Sequence, residues 1–269
     1  MAKADEVQKF SYFMKVNGVY QMDRLIPPDL CASMKQDILD HYEKIVRPHQ
    51  IKSGLGSIAQ WSAHHICGRK DRIHEFLELD YFHDYVTAYF GGKPYILNSI
   101  GAAINPPVTS EGSYEHGHRW HRDGRTFVGN GNRQMIVAVV ILDDSTTEHG
   151  TLEVLKGSHQ MSEFPLDDFI KDNHKFICGP RGSSVLIDGD LWHRVGRNLT
   201  TDVCVVVTCV FSRPYFKQGM DYPRFLSLEY ADNLSQRMRQ LFGFNARTPS
   251  SYEEWYQSTE KRFYKSDQE

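Results

Sequence analysis

The stretch Arg119-Trp120-His121-Arg122-Asp123-Gly124 sets an imidazole and a carboxylate two residues apart. Side chains alternate between faces in an extended segment, so positions i and i+2 project together. On a strand, His121 and Asp123 reach one ion. A nitrogen donor beside an oxygen donor suits a borderline divalent metal. Two histidines and one carboxylate on one face of an octahedron, with the remaining positions open, describe the non-haem Fe(II) oxygenases. The third donor has to come from a distant strand. "SSVLIDGDLWHRVGRN" offers one: strand-forming Val185-Leu186-Ile187, the turn Asp188-Gly189-Asp190, then Trp192-His193, 72 residues beyond His121. Taken alone, a His-x-Asp pair is also compatible with a hydrogen-bonded surface pair. His116 and His118 compete for the role, but His118-x-Trp120 lacks the carboxylate.

The elements that must position these residues are read from the period of the apolar positions. "PPDLCASMKQDILDHYEKIV" opens on prolines suited to a helix start and repeats Leu30, Met34, Ile38 and Tyr42 at four-residue intervals. "RIHEFLELDYFHDYVTAYFGG" continues the pattern and stops at Gly91-Gly92, a C-cap signal. From residue 93 the segments shorten and turn β-branched: "PYILNSIGAAIN", "RQMIVAVVILDD", "HGTLEVLKGSH", "KFICGP", "GSSVLIDGD" and "DVCVVVTCVFSRP". Gly, Pro, Asp and Asn punctuate them, the pattern of a β-sandwich or barrel. After residue 225, "SLEYADNLSQRMRQLFGF" and "SYEEWYQSTEKRFY" read as helices. The expectation is one domain over residues 1–269, mainly β. It has a largely helical part at 1–92, a β-core at 93–225 and C-terminal helices at 226–269.

Composition narrows the classes. A chain of 269 residues with 40% hydrophobic and 24% charged residues can bury a sizeable core. Net charge is −3 with no basic block, which excludes a nucleic-acid or anionic-membrane footprint. The longest apolar runs, "MIVAVVIL" and "VCVVVTCVF", are too short to span a bilayer. Five cysteines without Cys-x-x-Cys spacing argue against a disulfide scaffold or thiolate zinc site, and no apolar signal core opens the chain. The expected location is cytoplasmic.

Several blocks in order, "WHRDG", "RQMIVAVVILDDSTTEHGTLEVLKGSH", "GDLWHRVGRN" and "RPYFKQGMDYPR", resemble the phytanoyl-CoA dioxygenase (PhyH) family. Its members are Fe(II)- and 2-oxoglutarate-dependent oxygenases built on a double-stranded β-helix, the jelly-roll or cupin-like fold. "EHGTLEVLKGSH" is the most specific block, although His149 stands where the family usually has Asn. The resemblance implies that His121, Asp123 and His193 bind Fe(II), and the carboxylate of Asp123 points to a hydroxylase rather than a halogenase. It also implies O2 and 2-oxoglutarate as cosubstrates, release of succinate and CO2, and oxidation of a C–H bond in a small organic metabolite such as a natural-product intermediate. A monomer or homodimer is expected.

One departure bears on the cosubstrate. The family usually places an arginine for its distal carboxylate eleven residues after the distal histidine, and here that position is Cys204. Arg125, sharing strand parity with His121 and Asp123, and Arg197 are alternative anchors, with Thr201 as a hydroxyl donor. Asn98 and Gln134 lie in segments resembling those that line the cosubstrate pocket. Trp61, His65, Trp120, Phe127 and Trp192 are candidate substrate contacts. A cupin-like metalloenzyme without 2-oxoglutarate, or a non-catalytic jelly-roll binding protein, are the other readings the departure leaves open.

Overall fold

The computed structural model describes residues 4–54, 61–67, 71–108, 117–124, 126–127, 129 and 132–258. Among the described residues nine strands form two antiparallel sheets: β1 (Val19–Met22), β2 (Ser62–His64), β3 (Ile96–Asn105), β4 (Met135–Ile141), β5 (Leu152–Leu155), β6 (His174–Ile177), β7 (Ser184–Asp188), β8 (His193–Val195) and β9 (Cys204–Ser212). The larger sheet runs β1-β7-β4-β9-β3-β2 and the smaller β6-β5-β8. From β3 onward the chain passes back and forth between the sheets, which is the winding of a jelly roll.

Period-two alternation explains why the strands sit where they do. On the larger sheet Ile100, Ala102, Ile104, Ile136, Ala138, Val140, Val207 and Cys209 are buried on the face covered by helices. Val137, Val139 and Val185 point the other way, towards Val154 and Ile177 of the smaller sheet. Because both faces are covered, β4 and β9 read as continuous apolar runs. Each fully buried aliphatic side chain contributes roughly 1.5–3 kcal/mol, so the two layers fix the register from both sides.

N-terminal helices cover the outer face: α1 (Ala4–Val16), α2 (Pro28–His41), α3 (Arg47–Lys52), α4 (Arg72–Glu78) and α5 (His83–Tyr89). Pro27 caps α2 and Pro28 begins it, as expected, and the helix runs on into a π-helical turn at Tyr42–Val46. The helix expected over 72–92 is broken in two. Asp80 takes φ +57°, and its carboxylate pairs with Arg237 at 2.9 Å. The expected stop at Gly91-Gly92 is present, both at positive φ. The N-terminal part also contributes β1 and β2 to the larger sheet, which helical periodicity missed. The C-terminal helices are short pieces, including Leu228–Ala231, Gln236–Leu241 and Tyr252–Trp255, each begun by a serine that accepts a backbone hydrogen bond. The rest of "SYEEWYQSTEKRFY" from residue 259 lies outside the described residues. Among the described residues no helix is long and apolar enough to cross a membrane.

Candidate metal centre

A cavity of about 530 Å³ lies between the sheets, lined by the inward residues of β2, β3, β4 and β9 on one side and by β5 and β8 on the other. His121, Asp123 and His193 share its wall. His121 is not part of a regular strand. It makes a single antiparallel bridge to His193, with backbone N–H···O bonds of 2.9 and 3.0 Å in both directions. That one rung brings the two imidazoles together, ring centroids 4.3 Å apart and the planes tilted by 52°.

The carboxylate completes the set. Asp123 Oδ1 is 3.9 Å from His121 Nε2, and Oδ2 is 3.7 Å from His193 Nε2. The donor atoms of all three residues lie within 4.8 Å of one another. Donors on one face of an octahedron with metal bonds near 2.1 Å stand about 3 Å apart, so small side-chain rotations close the set on one ion. The tautomers are also fixed. Each Nδ1 lies 2.9 Å from a backbone carbonyl, Arg119 O for His121 and Leu191 O for His193. A carbonyl only accepts, so each Nδ1 carries the proton and each Nε2 turns a lone pair towards the shared point. Burial, then the neighbouring His193, lowers the pKa of His121 and keeps it the neutral ligand form.

A network on the outer face of the smaller sheet braces this pair. Glu153 is buried, and its Oε2 accepts from Arg194 Nε at 2.9 Å, Arg194 Nη2 at 2.7 Å and His174 Nε2 at 2.8 Å. The Arg194 guanidinium stacks on Trp120 at 4.6 Å. Arg194 follows His193 and Trp120 precedes His121, so one stack clamps both ligand segments from behind.

Several residues proposed from sequence lie elsewhere. Trp120 and Trp192 each neighbour a candidate ligand, so strand parity turns them away from the cavity. Trp120 meets Arg194 and His174, and Trp192 meets Phe164 and the Arg122 guanidinium at 4.4 Å. Phe127 packs against the same guanidinium at 5.2 Å. Trp61 stacks on Tyr42 in the helical layer. His65, at φ +58°, faces Tyr222, its Nδ1 3.1 Å from the hydroxyl, and His64 lines the cavity instead. Asn98 sits at a bulge in β3, donating to Lys217 O and Ser212 Oγ, while Ser99, Gly101, Ala103 and Asn105 face inward. Gln134 has the parity of Ile136, on the helix-covered face, and is not part of the cavity wall. Arg197 and Thr201 are exposed. Arg125 and His116 lie outside the described residues. Thr208 is an inward polar residue that sequence reasoning missed; the parity of β9 carried the signal.

Burial also pushes His64 below the ordinary imidazole value, against the opposing pull of Asp123. At the cavity floor Cys204 lies opposite Asn105 in the β3–β9 register. The turn there needs Gly150 (φ +70°), because a Cβ would stand 2.4 Å from Gly196 O.

A family model described as phytanoyl-CoA dioxygenase (PhyH) matches residues 14–203. An uncharacterized protein of Mycobacterium tuberculosis is 32% identical over 127 residues, 47% of this chain and 46% of its own length. "Dioxygenase hkm4" of Aspergillus hancockii is 30% identical over 173 residues, 60% of this chain and 54% of its own length. The alignments thus span about half the length of these curated relatives. The crystal structure of EctD from S. alaskensis with 2-oxoglutarate and 5-hydroxyectoine superposes with a TM-score of 0.61 at 15% identity, over 78% of this chain and 76% of that one. The likeness is one of fold.

Proposed function

The chain belongs to the phytanoyl-CoA dioxygenase family, and from that membership and the three converging donors we propose that it is a Fe(II)- and 2-oxoglutarate-dependent dioxygenase. Its substrate is a small organic molecule that enters the cavity between the sheets. The observation that carries this reading is the set of two Nε2 lone pairs and one carboxylate turned on a single point in the cavity wall. When bound, iron with 2-oxoglutarate and O2 supplies oxidation of a C–H bond with release of succinate and CO2.

The protein's own residues do the rest. His121, Asp123 and His193 would hold the metal at the cavity wall. Backbone carbonyls of Arg119 and Leu191 fix both imidazoles as Nε2 donors. Val137, Val139 and Val210 line the wall and limit water beside the ion. The apolar strand faces favour an organic substrate over a highly charged one.

Anaerobic titration with Fe(II) and then 2-oxoglutarate tests the proposal. A weak visible charge-transfer band that needs both, and succinate formation once O2 is admitted, are the expected results. Metal binding without any response to 2-oxoglutarate supports a cupin-like metalloenzyme instead, a reading that Cys204 leaves open. No metal binding overturns both.

A further inference from the structure

The cavity wall has a recess that the metal donors do not use. Gly101 lies in mid-β3 with His64 of β2 on one side and Thr208 of β9 on the other, each its direct partner in the ladder. A Cβ built on Gly101 would stand 3.0 Å from Ala63 O, 3.5 Å from His64 Nδ1 and 3.5 Å from Thr208 Oγ1. The absent methyl therefore leaves a niche between an imidazole nitrogen and a hydroxyl, both lining the cavity. Neither group makes a hydrogen bond to another described residue. An oxygen atom seated in front of Gly101, beyond the vacant Cβ position and clear of Ala63 O, can accept from both.

The opposite end of the same strand pair has the reverse character. Thr208 and Cys204 are four residues apart on β9, about 13 Å at strand rise. Around Cys204 the wall presents Asp143 and Asp144, and Asn105 turns its Nδ2 to the Gly150 and Gly196 carbonyls, leaving Oδ1, an acceptor, without a partner. Burial pushes the Cys204 thiol up to about 11, so it carries no charge at neutral pH. The cations beside that end, Lys35 at 2.8 Å and Arg181 at 3.6 Å, are already paired with Asp143, so a carboxylate lodged there meets acceptors and engaged cations. Among the described residues that line the cavity, Arg122 is the one permanent cation. Its guanidinium lies over Trp192 and Phe127, and Nη2 donates to Ser162 O.

We propose that the niche over Gly101, with His64 and Thr208 as its two donors, holds the distal carboxylate of the 2-oxo acid in place of the Cys204 end. The inference rests on the reading of the chain as 2-oxoglutarate-dependent and names the residues that give that dependence. His64 and Thr208 are binding residues for the far end of the acid. The metal donors remain responsible for its near end.

The test uses the full chain loaded with Mn(II), with 2-oxoglutarate and 2-oxobutanoate as probes in calorimetric titrations. The second acid has the same chelating end and lacks the distal carboxylate. His64→Ala and Thr208→Val each weaken 2-oxoglutarate binding about 10- to 100-fold, the size of a lost hydrogen bond to a charged group, and leave 2-oxobutanoate and Mn(II) affinities within about twofold. His64→Gln, which keeps a donor, recovers part of the loss, and Cys204→Ala changes neither acid. A merely structural role predicts equal weakening of both acids, and that result overturns the proposal. So does unchanged 2-oxoglutarate affinity in both niche variants, whether Arg125→Ala then weakens it or not. If the parent binds Mn(II) but neither acid, the cosubstrate reading itself falls, and the niche assignment with it.

Discussion

Removing Glu153 tests how the candidate ligands are braced. The Glu153 carboxylate lies on the outer face of the smaller sheet, its side chain 7% exposed, and three charged or ring donors converge on Oε2. Glu153→Ala strands the Arg194 guanidinium beside Trp120. Breaking a fully buried pair costs about 3–5 kcal/mol. The Arg194 side chain is 34% exposed and regains part of its hydration, so the expected loss is nearer 2–3 kcal/mol. For a protein of this size that lowers Tm by roughly 4–12 °C. Urea unfolding of the metal-free protein reads the loss directly. A parallel Mn(II) titration is expected to show about tenfold weaker binding, because Arg194 and Trp120 adjoin the two histidines. The double variant Glu153→Leu/Arg194→Met should return to within about 1 kcal/mol of the parent, since an apolar pair replaces a buried ionic one without an orphaned charge. Unfolding of Glu153→Ala within about 0.5 kcal/mol of the parent would refute the bracing argument.

Three other outcomes are expected. His121→Ala, Asp123→Ala and His193→Ala each abolish stoichiometric Fe(II) or Mn(II) binding, while the far-ultraviolet circular dichroism of the barrel is unchanged; retained binding by His193→Ala reassigns the third donor. Burial lowers the pKa of His41, His64, His65 and His159, so below about pH 6.5 the unfolded chain binds protons that the folded one does not. Stability of the metal-free protein is therefore level above that pH and falls as pH drops towards 5; a curve that rises on acidification contradicts the burial of these rings. Gly150→Ala costs about 3 kcal/mol or more, from a positive φ together with a 2.4 Å approach to Gly196 O, and thermal unfolding measures it.

The strands of the core are legible because β4 and β9 are covered on both sides, which leaves uninterrupted apolar runs between turns. The candidate metal donors are legible for a related reason: His121 and Asp123 share parity, and His193 follows a strand and a tight turn. The same parity argument, carried one residue further, places Trp120 and Trp192 on the far face; their proximity in sequence to the ligands is what misled. β1 and β2 escaped notice because each is three or four residues long, beside helices with a stronger period. The bulge between Leu97 and Ser99 reverses the facing of Asn98, and nothing local in "PYILNSIGAAIN" announces it. Asp80 breaks the helix over 72–92 through an ion pair with Arg237, a contact 157 residues away in sequence.

The bridge between His121 and His193 has a mechanical consequence. The stretch carrying the first two donors is not a regular strand of the smaller sheet; it is tied to β8 by the His121–His193 bridge and the bond from Val195 N–H to Gly117 O, so a cation grasped by all three side chains becomes a further rivet across the same seam. Loading the ion should then slow amide exchange at residues 117–124 far more than along β4 or β9, making occupancy visible as local stiffening before any turnover is measured.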